Sequence, residues 1–156
     1  SAEALLQFVA VGCNRDPNAV DWLTNQSHAY ENLVIYGAGQ FVAVYEPASA
    51  VVLTTLRGHT ATVNTVKWIK SPLSGTCPTC KSRVDKELVS GSSDSSLVVW
   101  RYNVHTREVP AYATTAVLKG HTESVTALAL IVLDSGAAIV LLSRCCFQMA
   151  RQLCAH

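Results

Sequence analysis

Leu56-Arg57-Gly58-His59-Thr60 and Leu118-Lys119-Gly120-His121-Thr122 are near-copies of one stretch, set at an offset of 62 residues. Between them runs Glu87-Leu88-Val89-Ser90-Gly91-Ser92-Ser93-Asp94-Ser95-Ser96-Leu97-Val98-Val99-Trp100, two apolar segments divided by a turn of serine and aspartate. The correspondence extends outward, because Val63 and Ile69 recur as Val125 and Ile131. A second alignment sets residues 33–45 against 88–100 at an offset of 55, with Leu33-Val34 recurring as Leu88-Val89 and Val44-Tyr45 as Val99-Trp100. Self-similarity of this kind belongs to repeat architectures, in which each unit buries its apolar face only by packing on its neighbours.

The units themselves read as strands. Leu33 to Tyr36 is rich in β-branched residues, Gly37 to Gln40 is a turn, and Phe41 to Tyr45 returns. With Ala50 to Leu56 this predicts an antiparallel meander of three strands. Val63 to Ile69, 87–92, 96–102 and Thr114 to Leu118 continue in the same style, and Val20 and Trp22 share one face of a short strand. Residues 70–86 and 103–112 are polar and turn-rich, and read as insertions. The fold class expected is therefore all-β.

The chain has 156 residues, enough for one core, and its 12 basic residues against 11 acidic ones exclude a strongly basic nucleic-acid binder. Its six cysteines are irregularly placed, and no basic segment precedes the apolar run Ala4 to Val11, so reduced thiols are expected and no signal peptide. Asn25-Gln26-Ser27 then matches a glycosylation sequon by chance. A first residue of Ser suggests a fragment or a processed product.

A Gly-His pair, a Ser-Gly-x-x-Asp turn and a strand ending in Trp resemble the WD-repeat β-propeller family. The resemblance implies an incomplete propeller of about two blades plus the start of another, since a typical blade takes ~40–45 residues and the insertions absorb the excess. The expected division is an N-terminal strand and loop at 1–32, a partial first blade at 33–57, and a complete blade at 58–119 with its insertion at 70–86. The start of the next blade follows at 120–131, and a divergent tail at 132–156. It also implies a hydrogen-bonded tetrad of His59, Ser90, Asp94 and Trp100, with Gly58, Gly120 and His121 as the repeated Gly-His positions. A closed chain of partners makes the burial of four polar groups tolerable. A Ser, a His and an Asp also suggest a hydrolase triad, but within a repeat they read as fastenings, and no catalytic residue is expected. The first unit has Ile35 at the place of Ser90 and Gly39 at that of Asp94, so no tetrad is expected there.

Finer details are Cys13-Asn14-Arg15 followed by Trp22, Val63-Asn64 with Trp68-Ile69, and Glu87 to Gly91 with Ser93-Asp94. Over about residues 8–131 these are similar to the scaffold-subunit family of the Elongator complex. That resemblance implies a non-catalytic scaffold supporting tRNA wobble-uridine modification, with other Elongator subunits as partners and tRNA contacted indirectly. It implies no cofactor, no small-molecule substrate, and a cytoplasmic and also nuclear location. The tail departs from the pattern, because no Trp follows Ala138 to Leu142. A truncated or alternatively ended product, marginal in isolation, is expected.

Three other chemistries are legible. Cys77-Pro78-Thr79-Cys80 has the spacing of half a zinc site, but a second pair is missing, and no βαβ pattern supports a redox motif. Lys81, Arg83 and Lys86 lie in a modestly basic loop that could face RNA, although no aromatic residues interleave them. A small zinc-binding or RNA-contacting module built on this insertion is the alternative function. Val125 to Leu142 approaches the length of a membrane span, but Asp134-Ser135-Gly136 at its centre disfavours insertion.

Overall fold

A computed structural model describes residues 13–23, 32–69, 87–102, 112–133, 136–143 and 147–150. Every element among them is a strand: β1 (Val20–Leu23), β2 (Leu33–Ala38), β3 (Phe41–Glu46), β4 (Val51–Arg57), β5 (Val63–Ile69), β6 (Glu87–Ser92), β7 (Ser96–Tyr102), β8 (Tyr112–Lys119), β9 (Val125–Leu133), β10 (Gly136–Ser143) and β11 (Phe147–Ala150). They form three antiparallel sheets in chain order, β1-β2-β3-β4, β5-β6-β7-β8 and β9-β10-β11. This is an all-β, partial-propeller architecture.

The first sheet is wider than the partial first blade expected at 33–57, because β1 pairs with β2 from Val20↔Tyr36 to Leu23↔Leu33. The tail also carries more pairing than expected. β10 runs against β9 from Gly136↔Leu133 to Ser143↔Val125, and β11 pairs with β10. The segment considered as a membrane span is thus divided between two antiparallel strands, and among the described residues no helix is long and apolar enough to cross a membrane. The insertion at 70–86 lies outside the described residues.

Alternation along the strands gives the first two sheets two apolar faces each, which is what stacking requires. Leu33, Ile35, Val42, Val44 and Leu56 of the first sheet meet Val63, Val66, Trp68, Leu88, Val98 and Trp100 of the second in one buried cluster. The opposite face of the second sheet packs Val89, Leu97 and Val99 on Val125 and Leu128 of the third. Each such aliphatic side chain contributes roughly 1.5–3 kcal/mol by leaving water, so the interfaces between sheets supply most of the cohesion. Polar links follow the same seam, where Asp21 of β1 accepts the Trp68 amide of β5 at 2.8 Å.

The structure shifts the alignment of the first two units by one residue. Tyr45 pairs with Val34 as Trp100 pairs with Leu88, and Ala43 with Tyr36 as Val98 with Ser90. Tyr36 therefore stands where Ser90 does, not Ile35. The cause is turn length. Four residues separate the pair Gly37–Val42, whereas five separate Gly91–Leu97. A slip of one residue moves a side chain to the other face of a sheet, and Ile35 accordingly lies in the core between the first two sheets. The shorter turn has Gly39 at a φ of 59°, a conformation that glycine adopts without steric cost.

Candidate functional site: a buried polar chain

The second sheet brings His59, Ser90, Asp94 and Trp100 together. His59 enters from the loop between β4 and β5, Ser90 from β6, Asp94 from the turn, and Trp100 from β7. The Trp100 indole donates to Ser90 Oγ at 3.0 Å, and Ser90 Oγ lies 2.8 Å from His59 Nε2. On the other side of the ring, His59 Nδ1 is 3.0 Å from Asp94 Oδ2. A neutral ring protonated on Nδ1 satisfies this arrangement. The indole N–H donates to the serine oxygen, the serine O–H to Nε2, and Nδ1–H to the carboxylate. Each bond polarises the next inside a low-dielectric core.

Asp94 is the anchor. Its carboxylate accepts from the Ser96 hydroxyl at 2.6 Å, the Thr60 amide at 2.8 Å and the Ser96 amide at 2.9 Å. Burial alone pushes this carboxyl up, but the Ser96 hydroxyl, the two amides and the His59 ring outweigh it and bring it from 3.8 down to about 2. The carboxylate is held to the folded form more tightly than its acid. Its stabilising contribution is therefore nearly complete above about pH 4 and is lost as pH falls toward 2, amounting, once solvent screening of this partly exposed group is allowed for, to about 1–2 kcal/mol. Asp94→Asn is expected to remove that part of the acid limb in a pH series of urea unfolding. An unchanged limb would show that other carboxylates carry it.

Serine 96 was not legible as a member of this site, nor was Ser92, whose Oγ donates to the Ala61 carbonyl at 3.0 Å. Within a run of four serines around one aspartate, only position relative to the turn distinguishes them. Gly58 is a further packing partner, since a Cβ there would lie 2.7 Å from Trp100 Cη2. In the third unit, Gly120 has a φ of 152°, and His121 is partly exposed whereas His59 is 6% exposed. Cys77, Cys80, Lys81, Arg83 and Lys86 lie outside the described residues, among which no group of three or more metal-ligating side chains occurs.

The order Ser–His–Asp has the atoms of a nucleophilic triad, but its setting opposes that chemistry. Ser90 has no exposed surface, and its oxygen already accepts from an indole. A nucleophile must reach an electrophilic carbon held about 3–3.5 Å away, and the packed core leaves Ser90 no such approach. What the arrangement does chemically is fasten a loop, a turn and two strands.

Comparison with known proteins agrees with this geometry. Residues 50–101 match the family model "WD domain, G-beta repeat", a span that joins β4 of one sheet to β5, β6 and β7 of the next. The chain is 30% identical over 86% of its length to Elongator complex protein 2 of Dictyostelium discoideum, of which it covers 14%. It is 39% identical over 63% of its length to that of Arabidopsis thaliana, covering 11%, and 35% identical over 74% to that of Homo sapiens, covering 14%. The chain thus spans about one ninth to one seventh of the length of these relatives. Residues 50–101 carry a WD40 repeat, and with successive four-stranded antiparallel sheets packed face to face the chain has the architecture of a partial WD-repeat β-propeller.

Proposed function

We propose that the chain is a non-catalytic scaffold segment of the Elongator complex, supporting tRNA wobble-uridine modification by holding other Elongator subunits. The observation that carries this reading is the similarity to Elongator complex protein 2 in three distant organisms, which extends well beyond the generic repeat residues. The sealed position of Ser90 supports a role without catalysis. Contact with tRNA is indirect in this reading, and the protein acts in the cytoplasm and also in the nucleus. Affinity capture of the tagged protein from its own cells, followed by quantitative mass spectrometry, is expected to recover the other Elongator subunits at near-stoichiometric levels. Recovery at the level of an untagged control would overturn the proposal. Loss of the gene product should also lower modified wobble uridine in bulk tRNA.

A further inference from the structure

Two asparagines that the tetrad does not use each bridge a turn of one sheet to the first residue of the next. Asn14 lies ahead of β1. Its Nδ2 donates to the Gly39 carbonyl at 2.9 Å and to the Val63 carbonyl at 2.7 Å, while its Oδ1 accepts the Gly39 amide at 2.8 Å. It therefore grips the β2–β3 turn of its own sheet and the first residue of β5 in the next. Asn64 repeats this one sheet later. Its Nδ2 donates to Ser93 Oγ in the β6–β7 turn at 2.9 Å and to the Val125 carbonyl, the first residue of β9, at 3.1 Å. Ser93 Oγ lies 3.3 Å from Asn64 Oδ1 and can donate to it. Val63 and Val125 are the two residues matched at the 62-residue offset.

The backbone explains why a side chain can reach both ways. Asn64 is the extra residue of a β-bulge, since Val63 pairs with Ser92 and Thr65 with Gly91. A bulge re-aims a side chain and bends its strand. Asn14 holds the matching place in the first sheet, directly after the bridge Cys13↔Ala38 and before pairing resumes at Val20↔Tyr36. Each asparagine is accompanied by a glycine that lets the next inner strand come close. A Cβ on Gly37 would be 2.8 Å from the Val63 carbonyl oxygen, and one on Gly91 2.6 Å from Val125 Cγ1. A primary carboxamide suits the task because it donates twice and accepts at the same time. At the third place in the series the chain has Thr126, which lacks that group.

We infer that Asn14 and Asn64 are two copies of an inter-sheet clamp, in which one carboxamide ties the turn of its own blade to the opening residue of the next blade's inner strand. The clamp acts separately from the tetrad. In the first sheet, which has no tetrad, Asn14 holds the Gly39 turn in place of the missing aspartate.

Hydrogen exchange of the purified chain, read by mass spectrometry of peptides, tests this through Asn64→Ala and Asn64→Asp. Alanine removes both grips, and exchange is expected to rise about 5–30-fold in β9 and in the 92–96 turn. Aspartate can still accept from Ser93 but cannot donate to the Val125 carbonyl, so β9 is expected to exchange faster while the turn stays within about twofold of the wild type. Asn14→Asp should show the same asymmetry one sheet earlier, at β5. Unchanged β9 exchange in both Asn64 variants would overturn the clamp. So would a uniform rise through β6 and β7, which would make the asparagine a support of its own blade alone. Should Asn64→Ala not fold, the Asn64→Asp asymmetry decides the question by itself.

Discussion

Replacing Trp100 with alanine is expected to lower the free energy of unfolding by about 3–5 kcal/mol, read from urea titration followed by far-ultraviolet circular dichroism. Trp100 is 3% exposed and sits in the cluster that joins the first two sheets. Its ring edge lies against Gly58, which has no side chain to move into the cavity that truncation opens. The loss also has a polar part, since Ser90 Oγ is deprived of the indole donor 3.0 Å away. Trp100→Phe separates the two, because it keeps most of the ring and removes the donor. Its cost is expected at about 1–2 kcal/mol, the scale of one buried hydrogen bond left unmade. In a cycle with Ser90→Ala, the Phe substitution should then cost less than it does alone, as neighbours in one network couple. A cost for Trp100→Ala below about 1 kcal/mol would mean that the sheets do not close over this ring.

How far the sequence disclosed this site follows from the kind of signal each residue leaves. His59, Asp94 and Trp100 are uncommon residues at characteristic places, and with Gly58 and Gly91 they stand out from a single chain. The repeat at 56–69 and 118–131 could be aligned for the same reason. Ser92, Ser93 and Ser96 do similar local work, yet serine is common in turns, and a run of them carries no order of importance. The width of the first sheet was harder to see, because β1 is only four residues long and is parted from β2 by a polar stretch. The equivalence of Tyr36 with Ser90 was obscured by one residue of turn length, a difference that apolar residues on both faces of β2 do nothing to reveal. The third sheet was concealed by composition. A continuous apolar run from Ala127 to Leu133 fits a buried strand, a collapsed tail or part of a membrane span equally well until its pairing partner is known. The two asparagine clamps were invisible for a different reason, since the contacts that define them join residues 49 and 61 positions apart.

Gly91→Ala is expected to cost about 2–3 kcal/mol although it adds a single methyl group, at the upper end of what overpacking a core usually costs. The added carbon would stand 2.6 Å from Val125 Cγ1, 2.9 Å from Thr65 Cγ2 and 3.1 Å from Val125 Cβ. None of these atoms can retreat easily, since both neighbours are β-branched, stiff at χ1 and fully buried. The clash with Val125, the shortest of the three, is relieved by moving β9 away from β6, which opens the cluster of Val89, Leu97, Val99 and Leu128 that joins the second and third sheets. The damage should therefore be directional. Exchange in β9 and β10 is expected to rise strongly, while β2 and β3 keep wild-type protection, because the interface between the first two sheets does not include Gly91. Val125→Ala in the same chain removes Cγ1, the atom nearest to the added carbon. The double variant should recover part of the loss, so that the two costs fail to add by more than about 0.5 kcal/mol. Strict additivity would show that the inner strands already lie far enough apart to admit a side chain, and that the spacing between these sheets is set elsewhere than at Gly91.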